Sequence, residues 1–220
     1  MLVIFDLDGT LLNTLEDLCA SGNYVLAKHN FPTHTLEAYK GFVGNGIRKL
    51  VERSLPVPER RNDVIDAIYQ EFMEYYSIHK MDKTAPYFGI VEWLEGLQQR
   101  GIKLAVASNK AHEAMAPLMQ HYFPTIKFSA ILGNKPGKAP KPDAGIIFEI
   151  LDATHETADT TIYIGDSNVD METATNAGVK KIGVLWGFRT KEELVNAGAD
   201  ALLEKPDLTS FLEIMPLLLR

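Results

Sequence analysis

The chain has 220 residues, 46% hydrophobic and 23% charged, with 29 acidic against 22 basic side chains and a formal net charge of −7. These values suit one large globular domain or two smaller ones. The acidic balance and the lack of any Lys/Arg-rich run argue against a nucleic-acid partner, and no stretch approaches the roughly 20 apolar residues of a membrane span.

Leu2 to Phe5 (LVIF) is a continuous apolar run bounded by Asp6, which marks a short strand buried on both faces. From 14 to 82 no strand is convincing. Leu15, Leu18, Cys19, Gly22, Val25 and Leu26 share one face of a helix, and 64–78 (VIDAIYQEFMEYYSI) is a second long helix rich in aromatics. Between them, 39–55 (YKGFVGNGIRKLVERSL) reads as two short helices around a glycine-rich turn. Cys19 is the one cysteine, so no intramolecular disulfide can form, and it reads as a buried structural thiol. PYFG marks a turn where the helical segment returns, near Asp82 to Pro86.

Strand and helix then alternate. Strands are expected at 103–108, 128–132, 161–166, 181–186 and 200–204, and helices at 90–100, 112–122, 143–153, 168–178 and 191–198. Pro117 is placed in the first turns of its helix, where proline is tolerated. The pattern predicts an α/β fold: a Rossmann-like, mostly parallel sheet core (1–13 and 83–220) with an all-helical cap (14–82) inserted after the first strand. Such an insert leaves from the carboxyl edge of the sheet, where ligands bind in doubly wound folds.

Parallel strands would bring their polar C-terminal residues to that one edge. Asp6, Asp8 and Thr10 follow the first strand; Ser108, Asn109 and Lys110 follow the second; Gly165, Asp166, Ser167 and Asp170 follow 161–164. Two carboxylates 4 Å apart repel by about 4 kcal/mol at an effective dielectric of 20, so a cation is needed. A hard divalent ion with oxygen ligands serves, and Mg2+ is the usual choice beside a substrate phosphate. Lys141 could add a positive point charge, and Ser108 with the amides after it is expected at a helix N-terminus, an anion site. Carboxylates, one metal, one lysine and such donors point to phosphoryl transfer, in which an Asp can act as nucleophile. The six histidines match no metal spacing.

FDLDGTL (5–11), AVASN (105–109), Lys141 and GDSNVD (165–170) resemble the four ordered motifs of the haloacid dehalogenase superfamily, across nearly the whole chain. The resemblance implies Asp6 as nucleophile and Asp8 as general acid/base, with Ser108 and Lys141 contacting phosphate and nucleophile. It implies Mg2+ bound by the Asp6 carboxylate, the Asp8 main-chain carbonyl and Asp166, with Asp170 in support. Thr10, Asn109 and Lys110 are expected at the substrate, as are Asn45, Gly46 and Arg48 from the cap. Superfamily members that cleave carbon–halogen bonds lack an acid two residues after the nucleophile. Asp8 therefore favours a phosphatase or phosphomutase, because an alkoxide leaving group needs a proton and a halide does not.

DLDGTLLNTLEDL, FVGNGIRKLVERSL, SNK and GDS further look like phosphoglycolate phosphatases. Asn13 stands where many of them have Asp, and Lys141-Pro-Asp-Ala lacks a second proline they usually carry. The expected activity is Mg2+-dependent hydrolysis of a small phosphorylated metabolite, with 2-phosphoglycolate the best candidate, through an aspartyl-phosphate. A phosphomutase of the beta-phosphoglucomutase type or a pyrophosphatase would use the same site. With no basic leader running into an apolar segment and cleavage site, a cytoplasmic protein is expected, a monomer or homodimer with no nucleic-acid or membrane partner.

Overall fold

The apolar run at the start of the chain becomes the middle of a sheet. In the computed structural model, which describes residues 1–219, β1 (Leu2–Phe5) is fully buried. It is followed by β2 (Leu12–Asn13), α1 (Leu15–Lys28), α2 (Leu36–Phe42), α3 (Ile47–Ser54), α4 (Asn62–His79) and β3 (Ala85–Pro86). Alternation begins with α5 (Ile90–Gln99), β4 (Lys103–Ala111), α6 (His112–Tyr122) and β5 (Phe128–Asn134). It continues through α7 (Gly145–Thr154), β6 (Thr161–Gly165), α8 (Asn168–Ala177), β7 (Lys180–Val184), α9 (Lys191–Asn196), β8 (Ala201–Leu203) and α10 (Leu208–Leu218).

The sheet runs β5-β4-β1-β6-β7-β8, and every neighbouring pair is parallel. Leu2 and Ile4 pack with Ala105, Ala107 and Tyr163 under Ile147 and Ile150 of α7 and Ala174 and Ala177 of α8. On the opposite face Phe5 meets Trp93 of α5 edge-on at 5.5 Å, and Trp93 meets Phe211 of α10 at 5.9 Å. The period-2 alternation of β1 thus feeds both layers. α10 lies where the sequence reading places no element. Pro117 is the sixth residue of α6, in its second turn.

The chain divides into two compact units, Met1–Leu11 with Pro86–Arg220, and Leu12–Ala85. The helical unit holds the expected cap segment, 14–82, and at its ends Leu12–Asn13 pairs with Ala85–Pro86 in a two-stranded ribbon. In the helical unit Leu18, Val25 and Leu26 of α1, Tyr39 of α2, Leu50 and Val51 of α3, and Ile65, Ile68 and Phe72 of α4 form the core. A Cβ on Gly22 would collide with the Tyr39 hydroxyl, which accounts for the glycine there. Cys19 is buried as expected, and burial raises its thiol pKa. Asp17, 2% exposed, accepts from Lys83 N (3.0 and 3.1 Å), Thr84 N (2.8 Å) and Thr84 Oγ1 (2.7 Å), tying the start of α1 to the end of the unit.

Candidate active site

Register brings the expected residues together. Phe5 pairs with Val106 of β4 and Ile164 of β6, so the residues just beyond all three positions share the carboxyl edge. The Asp6 amide donates to Ile164 O at 2.9 Å, carrying the ladder one step past β1.

Lys141 organises the interior of the site. Its Nζ reaches Asp6 Oδ1 (2.7 Å), Asp170 Oδ1 (2.8 Å), Tyr163 Oη (2.8 Å) and Ala107 O (3.0 Å), and the side chain is buried. Burial alone would lower the Lys141 pKa, but Asp170 and Asp6 outweigh it and hold the ammonium charged. Asp6 is raised well above the ordinary carboxylate range, first by burial, then by Asp170 and Asp166, with Lys141 opposing. Asp170 is saturated. Its Oδ1 takes Lys141 and Tyr163, and its Oδ2 takes the Ser167 amide (3.1 Å) and hydroxyl (2.6 Å) in the capping box that opens α8.

Asp166 sits between two glycines. A Cβ on Gly9 (φ +96°) would collide with its carboxylate, and so would a Cβ on Gly187. Its Oδ2 accepts from the Phe188 amide at 2.7 Å, and its Oδ1 has a long contact, 3.4 Å, from Thr10 Oγ1. Burial and Asp170 raise its pKa to about 7, against the pull of the Phe188 amide and the more distant Arg189 and Lys141 charges. Thr10 is fully buried, with its hydroxyl turned to Asp166.

Asp8 pairs with Lys110, whose Nζ lies 3.1 and 3.2 Å from its two oxygens. Lys110, expected at the substrate, is thus engaged by the carboxylate expected to move the proton. Any metal contact from Asp8 would have to come from its main chain. Ser108 is buried, and its Oγ accepts from the Lys110 amide at 3.1 Å, which leaves the hydroxyl hydrogen to donate. The expected helix N-terminus at Ser108 is not there: β4 continues to Ala111 beside β5, through a register shift after Ala107, and α6 begins at His112. Asn109, also expected at the substrate, spends its carboxamide on the Lys141 main chain, accepting from N (2.8 Å) and donating to O (3.1 Å).

Asn45, Gly46 and Arg48 belong to the helical unit. The Asn45 oxygen accepts from Arg53 (2.7 Å), Gly46 caps α3 at φ +81°, and half-exposed Arg48 pairs with Asp66 (2.9 Å) and donates to Asn62 (3.1 Å).

Oxygens of Asp6, Asp166 and Asp170 lie within 4.8 Å of one another. The donors are all carboxylate oxygens, the set a hard cation takes. Counting Asp6, Asp8, Asp166 and Asp170 against Lys110 and Lys141 leaves two negative charges unbalanced, the charge of one divalent ion. Burial of Asp6 and Asp166 makes their ionised forms costly without it. The residues fit Mg2+, with Asp6 and Asp166 as its carboxylate ligands, since both Asp170 oxygens are already engaged.

Three contributors were not foreseen. Tyr163 hides in an apolar strand, Phe188 contributes only a backbone amide, and the Trp186 indole N–H donates to Thr10 O at 2.9 Å. Tyr87 also lies close enough to Asp166 and Asp8 that their charges add to burial in raising its hydroxyl pKa.

Comparison with known proteins agrees with this geometry. The profile of a family described as haloacid dehalogenase-like hydrolase matches residues 3–184. A phosphoglycolate phosphatase of Agrobacterium fabrum is 34% identical over 205 residues, 92% of this chain and 88% of that one. A phosphoglycolate phosphatase of Caulobacter vibrioides is 32% identical over 96% of this chain and 88% of its own length. The solved structure of a Lactobacillus delbrueckii subsp. bulgaricus protein, named only provisionally as a phosphoglycolate phosphatase, superposes with a TM-score of 0.90 at 31% identity over 97% of each chain.

Proposed function

The chain belongs to the haloacid dehalogenase-like hydrolases, and we propose that within this family it is a Mg2+-dependent phosphatase of small phosphorylated metabolites, with 2-phosphoglycolate the favoured substrate. The observation that carries the reading is Asp8, a second acid beside Asp6 at the site, held by Lys110. Hydrolysis of a phosphate ester needs a proton for the leaving oxygen, and in this reading Asp8 gives it. The substrate preference rests on the names of the relatives.

In the proposed cycle a carboxylate oxygen of Asp6 attacks phosphorus and the bond from phosphorus to the ester oxygen breaks, giving an aspartyl-phosphate. Asp8 protonates the departing alkoxide. Asp8 then takes a proton from the water that attacks phosphorus, releasing phosphate and restoring Asp6. Lys141 fixes Asp6 and offsets its charge, so that a dianionic phosphate can approach, and the Ser108 hydroxyl donates to a phosphate oxygen. Mg2+ bound by Asp6 and Asp166 would supply the remaining charge neutralisation.

The test is a panel of phosphorylated metabolites assayed for released phosphate with Mg2+ or EDTA, using wild type and Asp6→Asn. Release from 2-phosphoglycolate above the rest of the panel, lost in EDTA and in the variant, is the expected result. Equal rates in every arm would overturn the reading, and isomerisation of a hexose phosphate without phosphate release would replace it with a mutase.

A further inference from the structure

Between β7 and α9 the chain crosses the site at 185–190, held at both ends. The Leu185 amide donates to Leu203 O of β8 at 2.9 Å, and the Thr190 side chain caps α9 by accepting from the Glu193 amide. Three consecutive residues in between touch motif-bearing parts of the site. The Trp186 indole N–H donates to Thr10 O (2.9 Å), in the turn that follows Asp6 and Asp8. Gly187 packs so closely that a Cβ would strike both Asp166 and Gly9 O. The Phe188 amide donates to Asp166 Oδ2 at 2.7 Å.

Together these contacts fix a single orientation of Asp166. Its Oδ2 is committed to Phe188, its flanks are closed by Gly9 and Gly187, its Oδ1 takes the long contact from Thr10 Oγ1, and one of its oxygens lies within 4.8 Å of oxygens of Asp6 and Asp170. Trp186 locks the segment onto the turn carrying Gly9, so the two glycine walls move as one. Trp93 stacks edge-on against Trp186 at 6.1 Å and against Phe5, which precedes Asp6, and so supports the indole from the sheet.

We propose that residues 186–188 form a strap that fixes the Asp166 carboxylate in the orientation a metal needs, with Trp186 a positioning residue for metal affinity. The proposal rests on Asp166 being a metal ligand. It concerns neither bond making nor substrate contact, so its signature is in metal binding and not in turnover at saturation. Groups that orient a ligand in this way typically govern affinity by about 10- to 100-fold.

Isothermal titration of EDTA-stripped protein with MgCl2 tests it. Trp186→Phe keeps a ring and removes the indole N–H, and it is expected to weaken Mg2+ binding about tenfold. The Mg2+ concentration for half-maximal phosphatase activity should rise by the same factor while kcat at saturating Mg2+ stays within about twofold of wild type. Gly187→Ala, which displaces Asp166 without touching the indole, is the second variant and should weaken binding at least as much. Wild-type Mg2+ affinity in either folded strap variant overturns the proposal. Equal Mg2+ binding by wild type and Asp166→Asn would instead overturn the assignment of Asp166 as ligand, which separates the two failures.

Discussion

Lys110 Nζ grips both oxygens of Asp8 at 3.1 and 3.2 Å, a pairing of residues 102 positions apart with the lysine side chain 4% exposed and the acid 16%. The lysine is the more deeply buried partner, so it anchors the acid from below and leaves Asp8 facing the open side. An acid that must meet a leaving oxygen within hydrogen-bond reach gains from such an anchor.

Lys110→Met should therefore lower kcat about 100-fold with KM changed less than about threefold. Lys110→Arg, which keeps the charge, should recover part of the loss. Steady-state kinetics on the best substrate decides this. A rise in KM with kcat intact would return Lys110 to the role of a substrate contact.

Asp166 has a pKa near 7 in the folded, metal-free protein, raised by burial and Asp170 from its ordinary 3.8. Between these values the folded state holds a proton that the unfolded state has lost, so stability falls as pH rises from about 4 to 7 and is level above that. Asp6 is shifted in the same direction. In EDTA, the melting temperature at pH 8 should lie below that at pH 5.5, Asp166→Asn should narrow the gap, and Mg2+ at pH 8 should close it. A melting temperature that rises over this range equally in both proteins refutes the prediction.

Removing the cation inside the cluster should be severe. Lys141→Met leaves Asp6 and Asp170 buried and uncompensated, a change that costs about 3–5 kcal/mol, which for a chain of this length lowers Tm by on the order of 10 °C. Scanning calorimetry with and without Mg2+ tests this. Part of the loss should be recovered with the metal bound, and an unaltered Tm in EDTA would contradict the electrostatic reading of the site.

In the helical unit, Asp17 accepts from the amides of Lys83 and Thr84 and from the Thr84 hydroxyl. Asp17→Ala should expose 80–86 to limited proteolysis and lower Tm by several degrees, since bonds to a charged acceptor contribute about 1.5–3 kcal/mol each. A cleavage pattern identical to wild type would show the anchor to be redundant.

Much of this site is legible in sequence because buried parallel strands leave a simple trace. LVIF, KLAVA and TIYI are uninterrupted apolar runs, and the acids and the serine just beyond them are then placed at one edge by topology alone. Lys141 stands out by its place in the order of motifs. Other features depend on tertiary detail. Tyr163 reads as one more strand hydrophobe, since aromatic residues favour strands whatever their hydroxyl does. Phe188 acts through an amide that every residue but proline has. Ser108 was assigned to a helix start, but pairing with β5 keeps the chain extended to Ala111. The glycine of Asp-Gly-Thr carries no sign in the sequence that it makes room for Asp166. Thr10 and Asn109 are polar for internal reasons, one bonded to Asp166 and the other to the Lys141 main chain.

The central place of β1 has a consequence for how the chain reaches its native state. Leu2 pairs with Lys103 on one side and Thr161 on the other, so on a growing chain the first strand has no partner until about half of the polypeptide has been made, and lacks its second until about three quarters has. The helical segment from Leu12 to Ala85 closes on itself through nearer neighbours and can collapse while that strand still waits. Contacts at such separation make folding slow, and Asp6, the proposed nucleophile, is among the last groups to be set in place. A truncated or stalled product would thus carry a formed helical unit and no assembled catalytic centre.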